Sequence, residues 1–198
     1  MRYYREGYFK ELVAGMPLNE QQRTFSASSY ETFDVFLSYN INDKIVVRGI
    51  YYMLAKMGYK VYVDFIVDPQ MSRSNVTKDT ATCIQNRLKH SKSLIYAQSS
   101  NAAMSKWMPW ELGVVDGKTN KCFIMPVQKG YENIMARQEY LLLYPVIGVD
   151  ALDRLTVYDS EYSLSGKPLA ECLRYGKKIS RLPETCSHLW NLAPGRVQ

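Results

Sequence analysis

The sequence predicts an α/β fold, a three-layer sandwich around a five-stranded parallel sheet in the flavodoxin-like order. Three observations predict it. Five short apolar runs alternate with stretches of helical periodicity. Strand, helix and strand follow one another through short connections, the spacing of right-handed βαβ units. The first run, Phe33 to Leu37, passes at once into the mostly polar Ser38–Asp43 and then into a helix, which is how such sheets begin.

In that opening stretch Phe33, Val35, Phe36 and Leu37 suit a covered, pleated position. Asn42 or Asp43 can cap the helix that follows, since a short side-chain oxygen accepts an orphan backbone N–H. Ligands of parallel sheets collect at the carboxyl ends of the strands. Ser38, Tyr39 and Asn40 are therefore the first candidates for a site.

Upstream, residues 1–30 are tyrosine-rich and then Gln/Ser-rich from Gln21 to Ser29. Tyr8, Phe9, Leu12 and Val13 can line a short amphipathic helix. We read this part as an extension that docks on the domain or on a partner, with the Gln/Ser stretch as linker. Residues 45–57 carry a helical stripe of Val47, Ile50, Tyr51, Leu54 and Met57, and Gly58 stands where a left-handed C-cap belongs. Tyr59 to Phe65 is the second strand, with Asp64 near its end. Residues 67–79 form a long polar loop with Pro69, Ser72, Arg73, Ser74 and Asn75; loops this long at this end of a sheet are usually functional. Thr77 can cap a second helix through His90, with Cys83, Ile84, Arg87 and Leu88 on one face.

Ser93 to Gln98 is the third strand, closing in Ser99, Ser100 and Asn101. The helical stretch Ser105 to Val115 holds Pro109, natural in a helix's first turn. Lys121 to Val127 is the fourth strand, Glu132 to Tyr144 a helix, Val146 to Asp150 a short fifth strand and Lys167 to Lys178 a last helix. The tail from Pro183 is irregular, with Leu189 and Trp190 packing back.

At 198 residues, 46% hydrophobic and 22% charged, the chain has globular values and enough length for a sizeable core. No apolar run approaches the ~20 residues of a membrane span. The charged start, Met1 to Glu6, has no apolar stretch behind it, so it is not a secretory signal. Cys83, Cys122, Cys172 and Cys186 lie far apart with no Cys-x-x-Cys pair, which fits a reducing cytoplasm rather than a disulfide scaffold or a zinc ribbon. The formal net charge is +6, but the Lys and Arg are scattered. Nucleic-acid binding would cluster them. A modest positive field still suits an anionic small molecule.

Glu111 is the residue with most chemical interest. It shares a helical stripe with Trp107 and Val115. If Pro109 takes the first helical position, Glu111 is third, a place where glutamate caps the backbone. The other reading is a carboxylate near the strand ends, backed by aromatics. Such a group can hold ribose hydroxyls and stabilise the positive charge of a breaking glycosidic bond, and the helix N-terminus favours its ionised form. A phosphoryl-receiver reading fails: Asp43 and Asp64 are present, but the third strand ends in Gln98-Ser99-Ser100 without a phosphoacceptor. His90 and His188 sit in no metal or triad spacing, and no glycine-rich phosphate loop is present.

Taken together, Phe33-Asp34-Val35-Phe36-Leu37-Ser38-Tyr39, Gly58-Tyr59-Lys60-Val61-Tyr62-Val63-Asp64 and Trp107-Met108-Pro109-Trp110-Glu111-Leu112-Gly113 resemble the boxes of a TIR domain. The resemblance spans about Glu31 to Tyr175 and is greatest to stand-alone bacterial TIR enzymes of antiphage defence, of the Thoeris type. It implies a TIR domain over 31–180 with a C-terminal tail over 181–198. It also implies cleavage of NAD at the nicotinamide–ribose bond and formation of a cyclic ADP-ribose-type signal. NAD would be the substrate, with no separate cofactor or metal. The family's catalytic glutamate matches Glu111, and its nucleotide cleft matches Ser38, Tyr39, Asn40 and Asp43 with the loop from Asp64 to Thr77, including Ser72 and Arg73; Trp107 flanks it. Self-association through TIR–TIR contacts and a separate effector protein that responds to the product are further implications. Two features depart from the family: Asn40 stands where many members carry a basic residue, and the loop lacks the usual glycine. Arg73 or Lys78 is then expected to meet the phosphates. Two other classes remain open on sequence, a non-catalytic TIR scaffold and a nucleoside deoxyribosyltransferase-like enzyme.

Overall fold

The computed structural model describes residues 1–70, 77–130 and 138–175. In chain order these form β1 (Tyr4–Arg5), α1 (Glu6–Ala14), α2 (Leu18–Gln21), β2 (Val35–Ser38), α3 (Lys44–Lys56), β3 (Val61–Tyr62), α4 (Asp64–Val67), α5 (Lys78–Lys89), β4 (Leu94–Gln98), α6 (Met108–Thr119), β5 (Cys122–Gln128), β6 (Val146–Val149), β7 (Leu155–Tyr158), β8 (Lys167–Pro168) and α7 (Leu169–Tyr175).

The sheet runs β3-β2-β4-β5-β6-β7-β8. Its first five strands in that order are parallel, the flavodoxin-like arrangement expected. β2 and β4 are buried at every position, so the two central strands read as apolar runs covered on both faces. The core includes Phe36, Leu37, Ile50, Leu54, Ile95 and Phe123. α3 is followed, just past its C-cap Met57, by Gly58, whose φ of 88° lies in the left-handed region that glycine adopts without strain.

The edges differ from the expectation. The second strand stops at Tyr62, and Asp64 opens a helical turn instead of closing a strand. Ile66 and Val67 are buried by that turn. A short apolar run has no period long enough to tell the two shapes apart. Beyond β6 the chain turns back through Asp153, at φ 58°, into β7, which pairs antiparallel with β6, and β8 follows on the same edge. Lys167 and Pro168 thus belong to a strand, and the last helix starts at Leu169. In place of the expected 132–144 helix, Glu139–Leu143 is a 3-10 turn, and positions 131–137 lie outside the described residues. So does everything from 176 onward, including the C-terminal tail and Trp190.

The N-terminal segment joins the sheet. Tyr4 and Arg5 pair in parallel with Val127 and Gln128 at the carboxyl end of β5, while Arg2 bridges Val149 of β6 in antiparallel sense. α1 lies on α3, with Phe9 and Val13 buried and Tyr8 exposed. Gly49 permits this approach, since a methyl there would stand 2.8 Å from the Phe9 Cβ and carbonyl oxygen. The Gln/Ser stretch is laid across the fold as a strap: Phe25 N–H donates to the Ile66 carbonyl, and the Ala27 and Ser28 carbonyls accept from Arg87.

Candidate functional site

β2 ends in Ser38 at the carboxyl edge, and α6 starts close by. Ser105 Oγ accepts from the Trp107 and Met108 N–H groups at 3.3 Å, and the first helical residue is Met108. Pro109 is therefore second and Glu111 fourth, one place beyond the capping position expected of it. Its N–H closes the first turn onto the Trp107 carbonyl at 2.9 Å. Its carboxylate turns to the sheet, where Ser38 Oγ donates to Oε2 at 2.6 Å. Both residues are fully buried. The first turn of a helix is a favourable place for negative charge. Tyr96 lies opposite Ser38 in register. Burial pushes its phenol above the ordinary range, with Tyr140 and the Glu111 charge adding to the shift.

Alternation sends Tyr39 the other way. Its hydroxyl donates to Asp64 Oδ1, which also accepts the Phe65 N–H at 2.6 Å, and its ring meets Phe65 edge-on at 5.6 Å. Tyr39 and Asp64 are thus joined to each other, and both are buried. Lys44 and Arg48 of α3 lie over the same Phe65 ring, at 5.7 and 5.2 Å.

Asn40 and Asp43 form a third group with two residues from the loop after β4. Asn40 Oδ1, not Asn42 or Asp43, accepts the capping N–H, from Asn42 at 3.0 Å, and opens a 3-10 turn over Ile41–Asp43. Asp43 makes no side-chain cap for α3. Its Oδ1 accepts from Asn101 Nδ2 at 2.6 Å and its Oδ2 from the Ser99 hydroxyl. Asn101 in turn takes Asn40 Nδ2 on its carbonyl at 2.7 Å and gives its N–H to Ser99 Oγ at 3.1 Å. The strand-end loops after β2 and β4 are one hydrogen-bonded unit.

Trp107 is half-buried at the head of α6 and packs edge-on against Trp110 at 5.5 Å. Lys78 is exposed as the first residue of α5. Ser72 and Arg73 lie outside the described residues.

Ser99 and Asn101 did not stand out in the sequence as site residues. The signal that picks out Ser38 to Asp43, polar residues just past a buried strand, applies to them equally. A second omission is the buried pair Asp68–Arg87: Arg87 Nε and Nη2 each reach an Asp68 oxygen at 2.9 Å, and Tyr62 donates to the same carboxylate at 3.0 Å. Among the described residues no three His, Cys, Asp or Glu side chains gather as a metal site. No helix among them is long and apolar enough to cross a membrane.

Fold and site define an α/β protein with a mostly parallel central sheet and a buried hydroxyl–carboxylate pair at the carboxyl edge of β2. Over 116 residues the chain is 44% identical to the probable 3' cyclic ADP-D-ribose synthase ThsB' of Bacillus cereus (strain MSX-D12), a match covering 58% of this chain and 60% of that protein. Over 83 residues it is 26% identical to the putative cyclic ADP-D-ribose synthase TIR2 of Cytobacillus dafuensis, covering 41% of this chain and 22% of that protein. The chain thus spans less than two thirds of the length of either curated relative. Among solved structures it is similar to the TIR domain of the Toll-related receptor TRR-2 from Hydra magnipapillata, with a TM-score of 0.40 and 19% identity, covering 56% of this chain and 78% of that one. No family model matches. The resemblance to a TIR domain protein of the ThsB kind rests on extended identity as well as on the three boxes.

Proposed function

We propose that this chain is a TIR-type enzyme that cleaves the nicotinamide–ribose bond of NAD and releases a cyclic ADP-ribose-type signal in antiphage defence. The single observation that carries the reading is the buried Ser38–Glu111 pair at the carboxyl edge of the sheet. Identity to proteins named cyclic ADP-ribose synthases supports it.

The chemistry follows from what a fixed carboxylate does best. The bond from the anomeric carbon to the pyridinium nitrogen breaks, and its electron pair leaves with nicotinamide. Positive charge develops on the ribose, and Glu111 stabilises it from a position already organised by Ser38. Water then adds to the anomeric carbon and loses a proton, giving ADP-ribose. Alternatively a nucleophile of the same nucleotide attacks, loses its proton and closes the cyclic product. The better the cleft excludes water, the more the second course is favoured. The product then acts on a separate effector protein, and self-association through TIR–TIR contacts brings the enzyme to its working form.

The test is nicotinamide release from NAD by the purified chain, with products resolved by mass. Wild type is expected to release nicotinamide and a cyclic nucleotide, and Glu111→Ala to release neither. Equal release by Glu111→Ala removes the catalytic assignment.

A further inference from the structure

Side chains of β4 alternate between faces, so Leu94, Tyr96 and Gln98 project to one side and Ile95 and Ala97 to the other. Tyr96 is the register partner of Ser38 and feels the charge of Glu111. Because Ser38 Oγ reaches Glu111, this is the face that carries the hydroxyl–carboxylate pair. Gln98 follows on the same face at the carboxyl edge. Two residues of strand place it about 6.5 Å beyond the level of Ser38, the scale of a pyridinium ring with its carboxamide.

Gln98 is only 3% exposed, and its Oε1 is buried with no hydrogen-bond partner among the described residues. A buried carbonyl without a donor carries its full desolvation penalty, and native chains rarely keep one without a use. Here it stands at the carboxyl end of β4, on the face that carries the Ser38–Glu111 pair.

We propose that Gln98 is a specificity-determining residue of the cleft: its Oε1 accepts a hydrogen bond from the carboxamide N–H of the substrate's pyridinium ring. The inference rests on the reading of the site as an NAD-cleaving centre. Ser38 and Glu111 attend the anomeric carbon, and Gln98 recognises the group that leaves it.

The experiment compares NAD with its 3-acetylpyridine analogue, which has the ring carbonyl but no N–H. Release of the free base is followed for wild type, Gln98→Met and Gln98→Leu, with melting temperatures measured in parallel. Wild type is expected to favour NAD through KM. Either apolar variant is expected to shrink that preference by about tenfold, with little change toward the analogue. A preference left unchanged, or an equal loss toward both dinucleotides, overturns the assignment to Gln98 while leaving NAD cleavage in place. Release from neither dinucleotide by wild type instead removes the underlying reading and the inference with it.

Discussion

Ser38 Oγ and Glu111 Oε2 are 2.6 Å apart, a contact between residues 73 positions apart in sequence and both inaccessible to solvent. A carboxylate buried to this degree is costly unless donors surround it. Retaining the charge at such a place makes sense where charge does chemical work. Glu111→Gln keeps the shape and removes the charge. Nicotinamide release is expected to fall by on the order of 10²–10³-fold, while the melting temperature stays at or above that of wild type. Ser38→Ala removes one donor and is expected to cost about 1–3 kcal/mol of stability, together with a smaller loss of rate. Initial rates and thermal melts of the two variants check both statements.

Asp43 and Asn101 tie the two strand-end loops together through a single polarity: the amide donates and the carboxylate accepts. Asn101→Asp sets two carboxylates against each other in a half-buried place and is expected to cost about 1–3 kcal/mol. Asp43→Asn alone loses the charge-assisted bonds. The double variant Asp43→Asn/Asn101→Asp restores one donor–acceptor pair in the reverse sense. It is expected to be more stable than the sum of the single changes allows, which a double-mutant cycle by denaturant unfolding measures. If cleavage needs the carboxylate at position 43, the double variant recovers stability without recovering KM.

Arg87 and Asp68 are 4% and 5% exposed, and Arg87 also holds the strap through the Ala27 and Ser28 carbonyls. Arg87→Met leaves Asp68 charged and buried and is expected to cost about 3–5 kcal/mol in denaturant unfolding. Adding Asp68→Leu and Tyr62→Phe removes the stranded polar groups, so the triple variant is expected to regain part of that loss.

The order of the parallel sheet was legible because βαβ spacing and apolar runs are local signals. So was the first strand's hand-over into a site, since Ser38 to Asp43 turns polar at one point. What the sequence hid was set by distant partners. Nothing local tells that Glu111 turns to Ser38 rather than back to its own helix, or that Tyr39 and Asp64 pair on the opposite side. α6 starts at Met108, one residue before Pro109, so Glu111 is fourth rather than third in the helix. The N-terminal strand was hidden too: two residues, Tyr4 and Arg5, carry no period, and their place depends on the carboxyl end of β5.

That N-terminal segment has a stability consequence. Phe9 is fully buried between α1 and α3, and Gly49 faces its backbone. Phe9→Ala is expected to cost about 3–5 kcal/mol. Gly49→Ala gains helix propensity in α3, yet its methyl would press on the Phe9 carbonyl at 2.8 Å, so it too is expected to destabilise. In a chain lacking residues 1–14 there is no Phe9 to meet. There Gly49→Ala is expected to become neutral or stabilising, which thermal melts of the four proteins decide.

Asp34 gives a pH signature. Burial alone would raise its carboxyl, but the hydrogen bond from Lys92, the Lys60 N–H and both ammonium charges outweigh it and hold the group below the ordinary carboxylate range. Lys92 Nζ stands 2.7 Å from Oδ1, and the Lys60 N–H meets Oδ2 at 2.9 Å. A group that binds protons less readily when folded than when unfolded stabilises the fold above its unfolded pKa, about 3.9 for Asp. That contribution is lost as the pH falls through the folded value. The pair is partly exposed, at 33% for Asp34 and 65% for Lys92, which limits the contribution to no more than about 1 kcal/mol. Asp34→Asn keeps an acceptor for the Lys60 N–H but discards the charge. The gap in stability between wild type and Asp34→Asn is therefore expected to be level at neutral pH, to narrow as the pH drops below about 4, and to shrink in high salt. A gap that widens on acidification would place the folded pKa on the wrong side of the unfolded one.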